Sequence, residues 1–426
     1  MKSTNWKSSE LKEILVLNDN GVWGDEDTIK GVSVLRSTNF TNEGRLDLSE
    51  KTYRKIDSKL KSKKRLLDGD ILIEKSGGSI NRPVGRVCYY ENIDDEIHLF
   101  GNFIGRIRAN NNIVSSRYLF WYLFYFHKTG RTNQFQRRTT GIRNLEYKYY
   151  LNIYIPIPPP SEQKRIVEIL DQADALRKKR ADADKIAERI IPALFYKMFG
   201  DPITNPLGWG RTPLKQICKL DRKVITSEQR NGLPYLGLEH IESNTGRIII
   251  TENQAINFEI NGSAFLFDNR HILYGKLRPY LNKVTLPDFN GCCSTELVPL
   301  LPFNNTDREY IASMLRLPFI VNYAMSSNKG SRMPRADMNL LFNLEVINPE
   351  KTLKCRFSRI YYNIQKQIEY QRETNQKIVI LFDALLHRAF SGKLTARWRE
   401  AHMQELLQEM EIQAKYLNTD PFPALP

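Results

Sequence analysis

Two stretches of this chain, about 200 residues apart, carry the same residues in the same order, and that repeat constrains the fold more than any other feature. Trp6, followed by Leu11-Lys12-Glu13-Ile14, returns 203 residues later as Trp209, followed by Leu214-Lys215-Gln216-Ile217. The stretch beginning at Gly31 returns from Gly232, and Asp70-Ile71-Leu72-Ile73-Glu74-Lys75 returns as His271-Ile272-Leu273-Tyr274-Gly275-Lys276, both 201 residues on. Arg117-Tyr118-Leu119 returns as Glu309-Tyr310-Ile311, and residues 141–158 match 330–349. Shared order over nearly the whole chain is hard to obtain by coincidence. The expected architecture is two copies of one unit, with small loop insertions between them.

Each copy opens with short apolar runs punctuated by glycine, asparagine and proline, the pattern of strands joined by turns. They lie at 69–73, 84–90 and 151–157 in the first copy, and at 271–274, 282–286 and 344–347 in the second. One helical stretch, 116–127, interrupts them. Each copy then becomes helical. Ser161 is a plausible N-cap with Glu162 in the first turn. Ile166, Ile169, Ala173, Leu176, Ala183, Ala187, Ile190 and Leu194 then follow at three-to-four spacing, with Arg180 as a break. Phe357, Ile360, Ile364, Ile378, Leu381 and Leu385 repeat that register, interrupted by Gln367, Gln371 and Thr374. Such spacing fits a coiled coil or an amphipathic helix packed on its own domain, and two related stripes in one chain favour mutual pairing. Pro192 should end or kink the first helix. At ~1.5 Å per residue the two helices should measure roughly 45 to 57 Å. The fold class expected is α+β: two similar domains joined by two long antiparallel helices. Its boundaries are 1–155 and 204–347 for the domains, 156–203 and 348–392 for the helical spacers, and 393–426 for a tail helix.

Lys and Arg number 63 against 48 Asp and Glu, a formal net charge of +15. That surplus points to a polyanionic partner, nucleic acid or an acidic membrane surface. The most apolar run, residues 118–126, is too short to span a membrane, which takes ~18 or more residues, so it should be buried. The N-terminal residues show no secretory signal. The five cysteines have no C-x-x-C spacing, and the six histidines are scattered. Neither a disulfide framework nor a metal site is expected, and a reducing cytoplasm fits.

Contacts to phosphates need Lys, Arg and small polar groups, whereas reading base edges needs Arg, Lys, Asn or Gln. One candidate region holds Lys75, Asn81 and Arg82, with the counterpart Lys276, Arg278, Tyr280 and Lys283. Its Gly77 and Gly78 either admit a phosphate close to the backbone or simply make a turn. A second region holds Arg131, Gln134, Gln136, Arg137, Arg138, Arg143 and Asn144, with the counterpart Asn328, Lys329, Arg332 and Arg335. A solvated basic loop is the plain alternative, but recurrence in both copies favours contact. The lysine-rich run 59–65 reads as a solvated face or a nonspecific phosphate patch, since its counterpart is not basic.

The stretch PIPPPSEQKRIVEILDQADAL, with Pro158, Pro159, Glu162, Gln163, Ile166 and Leu170, resembles the conserved region of type I restriction–modification specificity subunits. LFYKMFGDP, residues 194–202, is similar to that family's link into its second half. The run 385–400, with Phe390, Gly392, Leu394 and Trp398, resembles its C-terminal signature. The second copy departs from the pattern, having Asn348-Pro349-Glu350-Lys351 in place of the proline–Glu–Gln block. The resemblance implies two target-recognition domains on an antiparallel helical pair, each reading half of a split sequence in double-stranded DNA. It also implies methyltransferase subunits, two of them, docked on the helical region, with restriction subunits joining through that complex. Glu162, Gln163, Arg165, Phe199, Phe390 and Trp398 are the docking residues it suggests. It implies no catalysis, cofactor or metal in this chain, and no membrane.

The residues offer little for chemistry of their own. An amino-methyltransferase needs an Asn/Asp-Pro-Pro-aromatic motif, and Pro158-Pro159-Pro160 follows Ile157 and leads to Ser161. A two-metal nuclease needs spaced carboxylates and a lysine. Asp70, Glu74 and Lys75 lack that spacing, as do Glu242, Glu252 and Asp268. A DNA-binding adaptor for some other enzyme is the alternative reading.

Overall fold

The computed structural model describes residues 6–79, 82–139, 142–226, 228–230, 232–256, 262–304, 307–326 and 332–417, except the side chains of Arg138, Thr139 and Glu252. The chain forms two compact units: Met1–Lys178 with Gln376–Pro426, and Lys179–Asn375. This division cuts through both long helices, so each unit contains a segment of each.

Unit 1 is built on an antiparallel four-stranded sheet in the order Leu15–Asn20, Ile104–Ala109, Ile71–Glu74, Val87–Tyr89. Unit 2 repeats it as Cys218–Leu220, Leu297–Pro302, Ile272–Gly275, Val284–Thr285. A two-stranded pairing repeats as well: Lys7–Glu10 with Tyr154–Ile157, and Arg211–Pro213 with Glu345–Ile347. A parallel pairing recurs too, Val32–Leu35 with His98–Phe100 and Tyr235–Leu236 with Gly291–Ser294, but other parts differ. A three-stranded sheet of Gln136–Thr139, Ile142–Leu145 and Ser76–Gly78 in unit 1 is represented in unit 2 by a single bridge, Leu277 to Arg335, among the described residues.

The apolar run at 118–126 is the middle of the helix Ser116–Lys128, and every side chain from Tyr118 to Phe126 is buried. A helix apolar on all sides must lie inside a core. Ser115 caps it, accepting from the Tyr118 amide at 3.2 Å, and Tyr118 donates its hydroxyl to the Pro156 carbonyl at 2.9 Å. Tyr310 repeats this in unit 2, donating to the Ile347 carbonyl.

The first long helix is Pro160–Ala187, and Pro192 falls in the first turn of the next, Ile190–Phe199. The second runs unbroken over Lys351–Phe390. Their buried seams correct the expected stripes. On the first helix and its continuation, the inward positions are 166, 170, 173, 177, 180, 184, 187 and 191, a strict alternation of four and three. On the second they are 357, 361, 364, 368, 371, 375, 378, 382, 385 and 389. Leu176 and Leu381 are instead 64% and 61% exposed, one position off the seam. In unit 1 the guanidinium of Arg177 lies 4.3 Å from the Phe382 ring and donates to Asp174. In unit 2 Asn375 donates to Asp184 at 2.8 Å and Arg372 to Glu188 at 3.3 Å. One number rises as the other falls, so the helices pair antiparallel.

Candidate nucleic-acid interface

Folding brings the two sequence-separated candidate regions of unit 1 into one sheet. Arg143 pairs with Arg138 on one side and Gly78 on the other, and Asn144 pairs with Arg137 and Ser76. Lys75 locks the junction. Its amide donates to the Phe103 carbonyl and its carbonyl accepts from the Leu145 amide, both at 2.7 Å. Both glycines lie in the strand Ser76–Gly78, whose register against Arg143 and Asn144 shifts by one residue. Gly77 has φ +97°, and a Cβ on Gly78 would sit 2.7 Å from the Arg82 carbonyl oxygen.

Unit 2 makes the same junction. The Lys276 amide donates to the Glu296 carbonyl at 2.9 Å, and the Lys276 carbonyl accepts from the Ala336 amide at 2.8 Å. The Arg278 amide donates to the Pro334 carbonyl at 2.7 Å. Arg278 and Asn282, both at φ +51°, bracket the turn that carries Tyr280.

The side chains sort into two groups. Arg82, Gln134, Arg137, Arg278, Tyr280 and Arg332 are exposed, and Arg143 is half-buried. Arg82 has only a 3.8 Å approach to Glu74, and Arg137, Arg143, Arg278 and Arg332 enter no ion pair with the described residues. Arg131 lies exposed over the Tyr125 and Phe126 rings. The others are held internally. Gln136 donates to the Val84 carbonyl at 2.6 Å and accepts from its amide. Lys283 donates to the Leu238 carbonyl at 2.7 Å. Asn144 accepts from the Ser76 hydroxyl. Arg335 and Lys276 both approach Glu296. Lys75 donates to Asn20 and lies over the Tyr147 ring; burial, then the charge of Lys64, lowers its pKa. Asn81, Asn328 and Lys329 lie outside the described residues, as does the Arg138 side chain. No sequence signal marked Asn20 and Glu296 as partners of the two lysines; contacts across the sheet created them.

Of the suggested docking residues, Glu162, Gln163 and Phe199 are buried and Phe390 is half-buried. Glu162 is fully buried. It accepts from the Trp6 indole at 2.8 Å, the Thr395 hydroxyl at 2.6 Å and the Arg399 guanidinium at 2.8 Å. Gln163 donates to the Ile113 and Pro158 carbonyls and accepts from the Ser115 amide. Phe199 packs against Phe195, Tyr310 and Phe357, and Phe390 against Tyr118, Tyr122 and Tyr125. Arg165 remains exposed beside Glu168, and Trp398 is half-buried, stacked on His402.

Residues 3–183 match the family model described as the type I restriction modification DNA specificity domain. Over those residues the chain is similar to that family. It is 23% identical over 398 residues to the EcoKI specificity subunit of Escherichia coli, covering 86% of this chain and 83% of the relative. It is 21% identical over 384 residues to the MjaIX specificity subunit of Methanocaldococcus jannaschii, 83% of each chain. The EcoDI specificity subunit of Escherichia coli is 21% identical over 328 residues, covering 67% of this chain and 72% of its own. The crystal structure of the type I restriction–modification S subunit from M. genitalium shares the fold. Its TM-score is 0.51 at 15% identity, over 92% of this chain and 97% of that one.

Proposed function

We propose that this chain is the DNA-reading subunit of a type I restriction–modification complex, and that each unit reads one half of a split target. The observation that carries this is the junction built twice, at Lys75 and at Lys276. Each sets arginines on two adjacent backbone segments, exposed Arg82 and Arg137 with half-buried Arg143, and exposed Arg278 with exposed Arg332. The residues around the junctions differ, so the two half-sites differ. Groups of this kind position on phosphates and read base edges.

The chain itself does no chemistry in this reading. Two carboxylates of the first candidate set are neutralised by arginine: Glu74 by Arg86 at 2.8 Å and Asp70 by Arg108 at 2.7 Å. Two methyltransferase subunits dock on the long helices, with Arg165 and Trp398 the accessible members of the suggested set. Restriction subunits join through them, and the complex works in the cytoplasm. No described helix is long and apolar enough to cross a membrane.

The test is methylome sequencing of the host with and without this gene. The expected result is a split methylated motif with an unspecified gap that disappears on deletion. An unchanged methylome would sink the reading.

A further inference from the structure

The lysine-rich run, left open by the sequence as a solvated face or a phosphate patch, folds as the helix Ser58–Lys64 in unit 1. Asp57 caps its start, accepting from the Lys59 and Leu60 amides at 2.9 and 3.4 Å. The buried Arg106 clamps its end, donating to the Lys63 and Arg65 carbonyls at 3.1 and 2.7 Å and to Asp19 at 2.8 Å. Lys64 is drawn inward, to Asp19 at 2.9 Å and the Asn20 carbonyl at 2.6 Å. Asn20 also receives the ammonium of Lys75. The basic helix is therefore fixed beside the junction lysine of the candidate interface.

Lys59, Lys61, Lys63 and Arg65 are all exposed, and none forms an ion pair with a described residue. Four cations held close on a clamped element repel one another, and a polyanion relieves that repulsion. Lys75, bonded to the same Asn20, joins the helix to the three-stranded sheet through its backbone bond to Leu145. The second copy has nothing comparable in sequence, since no lysine or arginine occurs from Ile248 to Asn269.

We propose that the helix Ser58–Lys64, with Arg65, anchors the phosphate backbone of DNA beside the first half-site, and that the second unit lacks this anchor. This rests on the DNA-reading function above and adds to it a sequence-independent contact confined to one half of the target.

The test is the full chain, assembled with its partner subunits, carrying Lys59→Ala, Lys61→Ala and Lys63→Ala together. Its affinity for a random-sequence duplex is read by fluorescence anisotropy from 50 to 200 mM salt. Each lost phosphate contact lowers the log–log salt slope by ~0.9, so three lower it by ~2.7, about 40-fold across that range. A control with Lys215→Ala, Lys219→Ala and Lys223→Ala removes the same charge from exposed positions of unit 2 outside both candidate regions and is expected to keep the wild-type slope. The methylated motif is expected to be the same in all three. A triple variant with the wild-type slope overturns the proposal, as does a control that falls equally, which would make the effect one of net charge. A wild-type complex without salt-dependent binding removes the DNA-reading function, and the proposal with it.

Discussion

Lys354 holds Asp307 at 3.0 Å with both side chains buried, in the place where the other unit uses neutral groups. Gln163 sits at the corresponding position of the first long helix and meets the amide of Ser115, the N-cap of the aromatic helix. Asp307 is the N-cap of the corresponding helix, Arg308–Leu315. Both units thus tie the start of a long helix to the start of the helix buried beneath it, one with a carboxamide and one with an ion pair. The Gln163 contact of the first copy is thus replaced in the second by Lys354 rather than lost.

Removing one partner of a buried pair leaves an uncompensated charge, at a cost of ~3–5 kcal/mol. Lys354→Ala is therefore expected to destabilise unit 2 by about that much. The double variant Lys354→Gln with Asp307→Ser imports the neutral arrangement and should recover most of the loss. Hydrogen exchange within 307–315 and 345–360 reads this directly. A single variant as stable as the wild type would show that the pair contributes nothing.

The C-terminal segment is part of unit 1. Thr395 and Arg399 hold Glu162, Glu409 accepts from Ser161, and Gln413 donates to the Ile113 carbonyl. Truncation after Gly392 should speed exchange across 7–20 and 154–170 and leave 211–347 protected. Equal loosening of both units would contradict this division.

Arg143→Ala and Arg332→Ala should each relax selectivity at one half-site only, by ~1–3 kcal/mol if a base contact is lost. Binding to duplexes mutated in one half or the other checks this. A fall in thermal stability in place of altered selectivity would make the residue structural.

The helical pair should set the gap in the target. One heptad inserted after Ala183 and another after Asn375 preserves the seam and the Asp184–Asn375 contact. Seven residues add ~10.5 Å of helix, about three base pairs at ~3.4 Å each. The methylated motif is expected to keep its half-site bases and to gain about three unspecified positions. Those added base pairs also turn the duplex by roughly 100°, so weaker binding should accompany the change. New half-site bases with the old gap would show that the helices are not the ruler.

The sequence by itself determined the repeat, the buried aromatic helix and the interruption of the first long helix ahead of Pro192. Each rests on order or composition along the chain, which folding cannot rearrange. It also located both basic regions, because Lys and Arg keep their charge wherever they fall. It misplaced the helix seam, because apolarity was taken as the mark of burial. The stems of Arg177 and Arg180 lie inward while Leu176 is exposed, since Phe382 and Asp174 give Arg177 both a ring and a carboxylate to meet. The same limit applies at the interface. Arg137 and Gln136 are adjacent in sequence, yet only Gln136 is fixed to Val84 across 52 residues. Glu162 looks like a surface carboxylate until Trp6, Thr395 and Arg399 converge on it from the two ends of the chain. Which polar groups are free to meet a partner was decided by tertiary structure alone, because a hydrogen bond needs its partner within about 3 Å and the sequence does not state distances across a fold.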